Sequence, residues 1–193
     1  MISDTIIVLL YIITTSLNYL VQYIGNGINK KDPRRIWDIV WDNTPDLNEY
    51  AYIKNILPVS LLASVFFIKD GFSIFYEFFT KFILILIIRS ATVISTIFPK
   101  YAKCRLTGNT IEDAIGGCYD KIFSGHTSFV ALFTLILLNK NKINPLIFWI
   151  LNIFEMSIIT LSRSHFTVDV ILGFVISYLI YNGNYSINNP LGK

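Results

Sequence analysis

Charged residues are scarce in this sequence, and their scarcity excludes several classes of protein. Only 15% of the 193 residues are charged, whereas a soluble domain has about 25%. Hydrophobic residues make up 53% of the chain, and the mean hydropathy is +0.56. The net charge of +3 includes no long basic stripe of the kind that binds nucleic acid. The composition therefore indicates a membrane protein.

Cysteine is nearly absent as well. Cys104 and Cys118 are the only two cysteines, and they are too few and too badly spaced for a four-ligand zinc site. Two alternatives stay open for them. They are separate free thiols, or, in an oxidising compartment, they form one disulfide that stabilises the chain by about 3 kcal/mol.

Six stretches are apolar and long enough to be considered as membrane-spanning helices. A span needs about 20 residues, because each residue adds about 1.5 Å across a hydrocarbon core of about 30 Å. The stretches are roughly 5–24, 50–68, 75–98, 122–139, 143–161 and 166–181. The first lacks a basic n-region and a small-residue cleavage site, which favours a span over a signal peptide. We therefore predict an all-α polytopic membrane protein, a six-transmembrane-helix bundle in which residues 1–193 form one domain.

The two histidines of the chain, His126 and His165, each stand at the start of an apolar stretch. Six spans would put the connections at 25–49, 99–121 and 162–165 on one face of the membrane. Both histidines border that face. We therefore expect their motifs, CYDKIFSGHTSF and SRSHFTVDVILGF, to meet at one membrane depth although they are distant in sequence.

The second motif has the residues of a nucleophile or general base. His165 and Asp169 are four residues apart and share a helical face. A carboxylate there can hold the proton of one imidazole nitrogen and direct the other nitrogen to a substrate. Arg163 has a planar fork that suits phosphate oxygens.

The first motif has the residues of an anion site. Ser124 is placed to cap the fourth stretch, and Gly125 allows a ligand to approach the backbone closely. The amides at a helix start attract anions, and Lys121 adds positive charge. The two motifs together predict a phosphate group handled at the membrane surface.

A structural interpretation accounts for some of the same residues. A lone histidine near a helix end is more often an interfacial residue than a catalyst. Ser124 and Thr127 fit ordinary capping, and Arg163 fits a cation that extends from the bilayer to the interface. Asp169 fits this interpretation less well, because a carboxylate inside a span is costly without a partner.

The strings SGHT and SRSHFTVD resemble the phosphatidic acid phosphatase type 2 (PAP2) superfamily. Within it, C-Y-D-x-x-x-S-G-H-T and H-F-T-V-D-V are similar to the sphingomyelin synthase branch, which includes the inositol phosphorylceramide synthases. That branch reads C-G-D-x-x-x-S-G-H-T and H-Y-T-x-D-V. This chain departs from it at Tyr119, where the branch has Gly, and at Phe166, where it has Tyr.

The resemblance extends beyond the two histidine motifs. The branch's third-span motif is matched by Arg89, Thr92, Thr96 and Pro99, without the paired arginines that precede it. Its proline-rich first-loop motif survives only as Pro45-Asp46. The six-span layout agrees with the branch, so the resemblance covers nearly the whole chain.

The resemblance implies a transferase that moves a phosphocholine-type headgroup from a glycerophospholipid to ceramide and releases diacylglycerol. His165 would form a phosphohistidine diester, Asp169 would orient it, and His126 would act as acid and then as base. The substrate-binding residues would be Arg89, Asp120, Lys121, Ser124, Gly125 and Arg163. Arg89 has a structural alternative, a pairing with Glu155. No metal or cofactor is required, because cations and amides can hold the phosphate charge.

Two other functions remain open. One is a PAP2-type lipid phosphate phosphatase, in which water replaces ceramide. The phosphatases have several residues between Arg and His and a K-x-x-x-x-x-x-R-P string. Here Arg163 is two positions before His165, and no proline follows Arg89. The other is a non-catalytic lipid-binding membrane protein, against which His126, His165 and Asp169 argue. The sequence also leaves a homo-oligomer open.

The distribution of basic residues and the family resemblance disagree about the side of the membrane on which the site lies. Nine basic residues outside the spans lie on the face of the histidine motifs and five on the other, so the positive-inside rule places the motifs in the cytosol. The resemblance implies the opposite, an endomembrane (Golgi-like) or plasma membrane with the site facing the lumen or exterior. Because some of those cations would bind phosphate, we follow the resemblance.

Overall fold

Six α-helices and one 3-10 helix make up the described part of the chain, in which no strand occurs. The computed structural model describes residues 4–31, 36–98, 118–119 and 121–183. In chain order the elements are α1 (Asp4–Lys31), the 3-10 helix (Asn48–Asn55), α2 (Ile56–Ser64), α3 (Gly71–Ser95), α4 (Gly125–Asn139), α5 (Pro145–Leu161) and α6 (Thr167–Asn182). The all-α prediction is confirmed for these residues.

Two helices are long and apolar enough to cross a membrane by length and composition. They are Asp4–Gly27 within α1 and Gly71–Ser95, which is α3. Helices α4, α5 and α6 are apolar but have 15, 17 and 16 residues, below the roughly 20 residues that a straight span needs. The prediction of six spanning helices is therefore confirmed only as six apolar helices.

The second predicted stretch, 50–68, is the one that differs most from the structure. Its first residues belong to the 3-10 helix, and α2 has only nine residues. Successive turns follow α2, and Asp70 ends them with a left-handed φ of 66° before α3 begins. The physical reason lies in Glu49–Asn55, where only four residues separate a glutamate from a lysine and an asparagine, so that no long apolar face forms.

The starts of α4 and α5 follow from local capping. The Ser124 hydroxyl accepts a hydrogen bond from the Thr127 amide (3.2 Å). The Asn144 side chain accepts one from the Ile147 amide (2.8 Å), and Pro145 occupies the first helical position, where its missing N–H is not needed. Both starts lie within three residues of the predicted ones.

The main apolar core lies largely between α3 and α4 and contains a cluster of packed aromatic rings among its aliphatic side chains. Phe78 packs on Phe129 with ring centroids 4.5 Å apart, and Phe82 packs on the same ring at 5.4 Å. A smaller buried cluster joins Val21 of α1 and Val93 of α3 to Cys118 and Tyr119. This second cluster lies beside the histidine motifs and fixes the residues that precede α4.

Candidate active site

The two histidine motifs are in direct contact through their backbones. The Ser124 N–H donates to the carbonyl oxygen of Asp169 (2.9 Å). One turn further on, the Ser128 hydroxyl donates to the carbonyls of Ser124 (2.9 Å) and Gly173 (3.1 Å). Small residues at this seam allow α4 and α6 to approach closely, as in other tightly packed membrane helices. The predicted meeting of the two motifs is what the structure shows.

The His165 imidazole faces the Asp169 carboxylate at the start of α6. Nδ1 of His165 lies 3.5 Å from Oδ2 of Asp169, whose side chain is 1% exposed. The same Oδ2 accepts a hydrogen bond from the Phe166 amide (3.1 Å), which fixes the carboxylate on the first turn. Closure by about 0.5 Å would bring the two atoms to the distance of an ordinary N–H···O hydrogen bond. The carboxylate is therefore placed to orient the imidazole.

His126 has a different partner. It lies in the first turn of α4, and its Nε2 is 2.8 Å from Oδ1 of Asn55, the last residue of the 3-10 helix. An amide oxygen only accepts, so in this geometry Nε2 carries the proton. The two histidines therefore have chemically different neighbours, a carboxylate for His165 and a neutral amide for His126.

The connection between α1 and the 3-10 helix lies over the second motif. The Asp38 carboxylate accepts from the Thr167 amide and from the Thr167 hydroxyl (2.7 Å each), so it caps α6. The indole N–H of Trp41 donates to the carbonyl of His165 (3.1 Å). Its ring stacks on Phe166 with centroids 4.3 Å apart. This segment therefore holds the backbone on both sides of His165.

Arg163 is bound to the same connection. Its guanidinium donates to the hydroxyl (3.2 Å) and the carbonyl (2.6 Å) of Thr44 and lies 5.8 Å from the centroid of the Trp41 ring. The residue is 5% exposed. Its φ is 59°, a strained value for a residue with a side chain, and it ends α5 with the left-handed turn that glycine usually makes.

Two lysines meet at Ser164, between Arg163 and His165. Nζ of Lys54 donates to the Ser164 hydroxyl (2.9 Å), and Nζ of Lys121 donates to the Ser164 carbonyl. Lys121 is buried. Positive charge is therefore concentrated directly beside His165, as the handling of a phosphate group requires.

Arg89 brings a further cation to the start of α4. Its Nε donates to the Phe123 carbonyl (3.1 Å), and a Cβ added to Gly125 would lie 3.5 Å from that nitrogen. Arg89 was considered as a substrate-binding residue or as the partner of Glu155. The pairing with Glu155 is not formed. Glu155 is fully buried without a hydrogen-bond partner among the described residues, and the cation that acts on it electrostatically is Lys54.

Comparison with known proteins bears on this site directly. Residues 117–187 match the family model described as PAP2 superfamily C-terminal. The match supports membership of the PAP2 superfamily. Its interval contains both histidine motifs, and members of that superfamily are phosphatases and phosphotransferases. No curated protein matches the chain.

One of the two departures from the motifs of the sphingomyelin synthase branch, Tyr119, has a structural explanation. Its ring packs against α1 at Gly25, where an added Cβ would come within 2.4 Å of the ring. Its amide donates to the Gln22 side chain (2.8 Å). Burial raises the pKa of the Tyr119 phenol, so the residue brings no negative charge to the site. Because Gly25 has no side chain, α1 leaves room for the Tyr119 ring.

Of the two residues that flank Tyr119 in the motif, Cys118 is described by the structure and Asp120 is not. Cys118 is buried and disulfide-bonded. Cys104, the only other cysteine of the chain, lies outside the described residues, as does Asp120. Of the two alternatives for the cysteines, the structure has the disulfide.

The two helix starts at this site, those of α4 and α6, differ in charge. The start of α6 is already occupied by the carboxylates of Asp38 and Asp169. The first turn of α4 has no acidic residue and lies against Arg89. An anion is therefore favoured at α4, near His126, and disfavoured at α6.

The donors at this site suit a phosphate ligand. Within the described ranges, no three His, Cys, Asp or Glu side chains are grouped closely enough to hold a metal ion. The groups that could hold phosphate are Arg89, Lys54, Lys121 and the α4 amides. Asp38, Trp41, Thr44, Lys54 and Asn55 were not predicted as site residues. Only the Pro45-Asp46 fragment of the first loop hinted that this region belongs to the site.

Proposed function

We propose that this chain is a membrane phospho-headgroup transferase that moves a phosphocholine-type headgroup from a glycerophospholipid to ceramide and releases diacylglycerol. The observation that carries the proposal is the contact between the two motifs, Ser124 to Asp169, which joins the start of α6, where His165 faces a carboxylate, to the start of α4, where His126 lies. The similarity of C-Y-D-x-x-x-S-G-H-T and H-F-T-V-D-V to the sphingomyelin synthase branch supports ceramide as the acceptor.

The first half-reaction forms a phosphohistidine. Attack is assigned to Nε2 of His165, the ring nitrogen that does not face Asp169. A bond forms between Nε2 and phosphorus while the bond from phosphorus to the diacylglycerol oxygen breaks. His126 gives a proton to that oxygen, because diacylglycerol is a poor leaving group. The Asp169 carboxylate stabilises the positive charge that develops on the His165 ring.

The second half-reaction reverses these roles. His126, now neutral, takes the proton of the ceramide hydroxyl, whose oxygen attacks phosphorus. The bond from phosphorus to Nε2 breaks, and both histidines return to their starting states. Imidazole suits this exchange because it gains and loses protons near neutral pH. Arg89, Lys54 and Lys121, with the amides following Ser124 and Gly125, would hold the phosphate charge throughout. Asp120, which lies in the CYDKIFSGHTSF motif, is proposed as a further substrate-binding residue.

The setting of the reaction is a bilayer. We propose that the apolar helices cross it six times as one domain, with tilt or local thinning accommodating the shorter ones. Large apolar side chains exposed on α1, α5 and α6, such as Ile12, Trp149 and Leu179, support contact with lipid. The disulfide at Cys118 supports a site on the oxidising side, the lumen or exterior of an endomembrane or plasma membrane.

Membranes that contain the chain test the proposal when they are given labelled ceramide and, separately, labelled phosphatidate. A ceramide product that bears a headgroup supports the transferase. Free phosphate from phosphatidate without that product would make the chain a lipid phosphate phosphatase, the second function that the superfamily match accommodates. Binding without either product would make it a lipid-binding protein.

A further inference from the structure

Asn55 stands where an asparagine normally caps a helix, but its side chain contacts His126 instead of a helix amide. It immediately precedes α2, with a helical φ of −84° and ψ of −18°, and it makes no side-chain capping bond. Asparagine is favoured at such positions because its oxygen caps a helix amide. Here that oxygen is 2.8 Å from Nε2 of His126. Local helix capping therefore does not account for this side chain.

The neighbouring residue anchors the 3-10 helix to the other motif. Lys54 donates to the Ser164 hydroxyl (2.9 Å), one residue before His165. Two consecutive side chains thus contact the first and the second motif. Because Lys54 is held independently of His126, the position of the Asn55 amide relative to α4 is fixed by a contact outside α4.

The charge of the partner distinguishes the two histidines. A carboxylate, as at His165, orients an imidazole and also stabilises its positive form. An amide orients the ring through a hydrogen bond and brings no net charge. At His126 the Asn55 amide therefore orients the ring without adding a charge of its own.

We infer that Asn55 is a positioning residue for His126, the counterpart of Asp169 for His165, and that its amide orients the ring without adding a charge of its own. The role of His126 in turnover rests on the proposed function, whereas the contact itself does not. The helices that pack against α4 carry these charged and titratable residues: Tyr76, Glu77, Lys81 and Arg89 of α3, Glu155 of α5, and Asp169, Tyr178 and Tyr181 of α6. Together with Lys54 and His165, all of them remain in the Asn55 and Asn48 variants below.

The test uses the full chain in detergent or nanodiscs, with histidine labelled for NMR. The chain has only two imidazoles, and His126→Ala assigns their signals. Asn55→Asp should raise the pH midpoint of the His126 titration by about one unit or more, because an adjacent carboxylate favours the imidazolium. The midpoint of His165 should stay as in the wild type.

Asn48→Asp is the matched control. It makes the same charge change seven residues earlier in the same 3-10 helix, about 14 Å away at 2.0 Å per residue. That separation exceeds a Debye length of about 10 Å, so both midpoints should be unchanged. The inference is overturned if Asn55→Asp leaves His126 unmoved, or if it moves His165 or matches Asn48→Asp.

Kinetics supply a second readout. Asn55→Ala should lower kcat for headgroup transfer about tenfold, part of the 10²–10⁴-fold that a positioned acid contributes, with KM for the donor unchanged. A change confined to KM would overturn the positioning role. A wild-type chain that turns over neither ceramide nor phosphatidate would refute the proposed function alone, because the NMR titration still decides whether Asn55 positions His126.

Discussion

The Ser124 amide and the Asp169 carbonyl share a 2.9 Å hydrogen bond across 45 residues of sequence. The bond joins the residue that caps α4 to the residue whose carboxylate faces His165. The relative position of the two histidine motifs is therefore determined by how closely α4 and α6 pack. This close packing is itself testable.

Replacing Gly173 with alanine should separate the two motifs. An added Cβ would lie 2.8 Å from the Ser124 carbonyl oxygen and 3.0 Å from the Ser128 hydroxyl, so α6 has to shift. Overpacking of this kind costs about 1–3 kcal/mol. We expect a lower melting temperature in detergent and reduced turnover.

Gly27→Ala is the control for this change, because nothing lies within 4 Å of an added Cβ there. The control should be neutral or slightly stabilising, since alanine favours helix by about 1 kcal/mol. Equal stability of the two variants would show that the seam between α4 and α6 is looser than described.

Asp38→Ala should destabilise the start of α6. The carboxylate accepts both hydrogen bonds from Thr167, and its loss removes the cap at a cost of about 0.5–2 kcal/mol. We expect a lower melting temperature and faster proteolysis in the segment around Trp41. Asp4→Ala removes an exposed acid from the first turn of α1 and serves as the control. Equal protease sensitivity of the two variants would contradict the capping role.

The disulfide at Cys118 predicts the side of the membrane on which the site lies. In sealed vesicles whose outer surface is the exterior or lumenal face, a membrane-impermeant thiol reagent should label nothing at first. After mild reduction with an impermeant reductant it should label the chain without opening of the membrane. Labelling that requires the membrane to be opened would place the site in the cytosol, as the positive-inside rule suggests.

The helices were predictable because long apolar runs leave little alternative in a membrane. Five of the six stretches became helices with boundaries shifted by only a few residues, apart from α1, which extends to Lys31. The stretch at 50–68 was misjudged because its apolar residues are mixed with Lys54 and Asn55. Those polar residues make contacts with α4 and with the segment before α6, which periodicity within the stretch cannot show.

The site was predictable only in part. His165 and Asp169 were predicted to share a helical face because they are four residues apart. In the structure α6 begins only at Thr167, so His165 lies just before the helix, and its ring still faces Asp169 of the first turn. The contacts of Asp38 with Thr167 and of Trp41 with His165 span more than 120 residues. A local sequence pattern cannot reveal contacts between residues so far apart in the chain. Asp38 in particular lies in a polar connection, where an aspartate is usually exposed to solvent. Arg163 was predicted to face phosphate, whereas its fork is bound to Thr44.

Asp169→Asn tests the orienting carboxylate. The amide keeps the shape and retains an oxygen for the Phe166 amide, so the fold should survive. It no longer stabilises the His165 imidazolium, and loss of a comparable triad carboxylate costs about 10⁴-fold in serine proteases. We expect headgroup transfer to fall steeply while the melting temperature changes little. Near wild-type turnover would leave Asp169 as a structural carboxylate.

The separate roles of the two histidines are the central claim, and loss of activity alone cannot assign them. Both alanine variants should fail on natural phospholipid. A phosphodiester with a nitrophenol leaving group distinguishes them, because nitrophenolate departs without a proton from His126.

The most direct measurement is the nitrophenol burst from each alanine variant. His126→Ala should release one equivalent per active site and then stall as the phosphohistidine, because no base activates ceramide. His165→Ala lacks the nucleophile and should give no burst. Swapped behaviour would reverse the assignment of nucleophile and acid. A burst from neither variant, in folded protein that binds the substrate, would contradict the covalent intermediate and leave direct transfer between lipids.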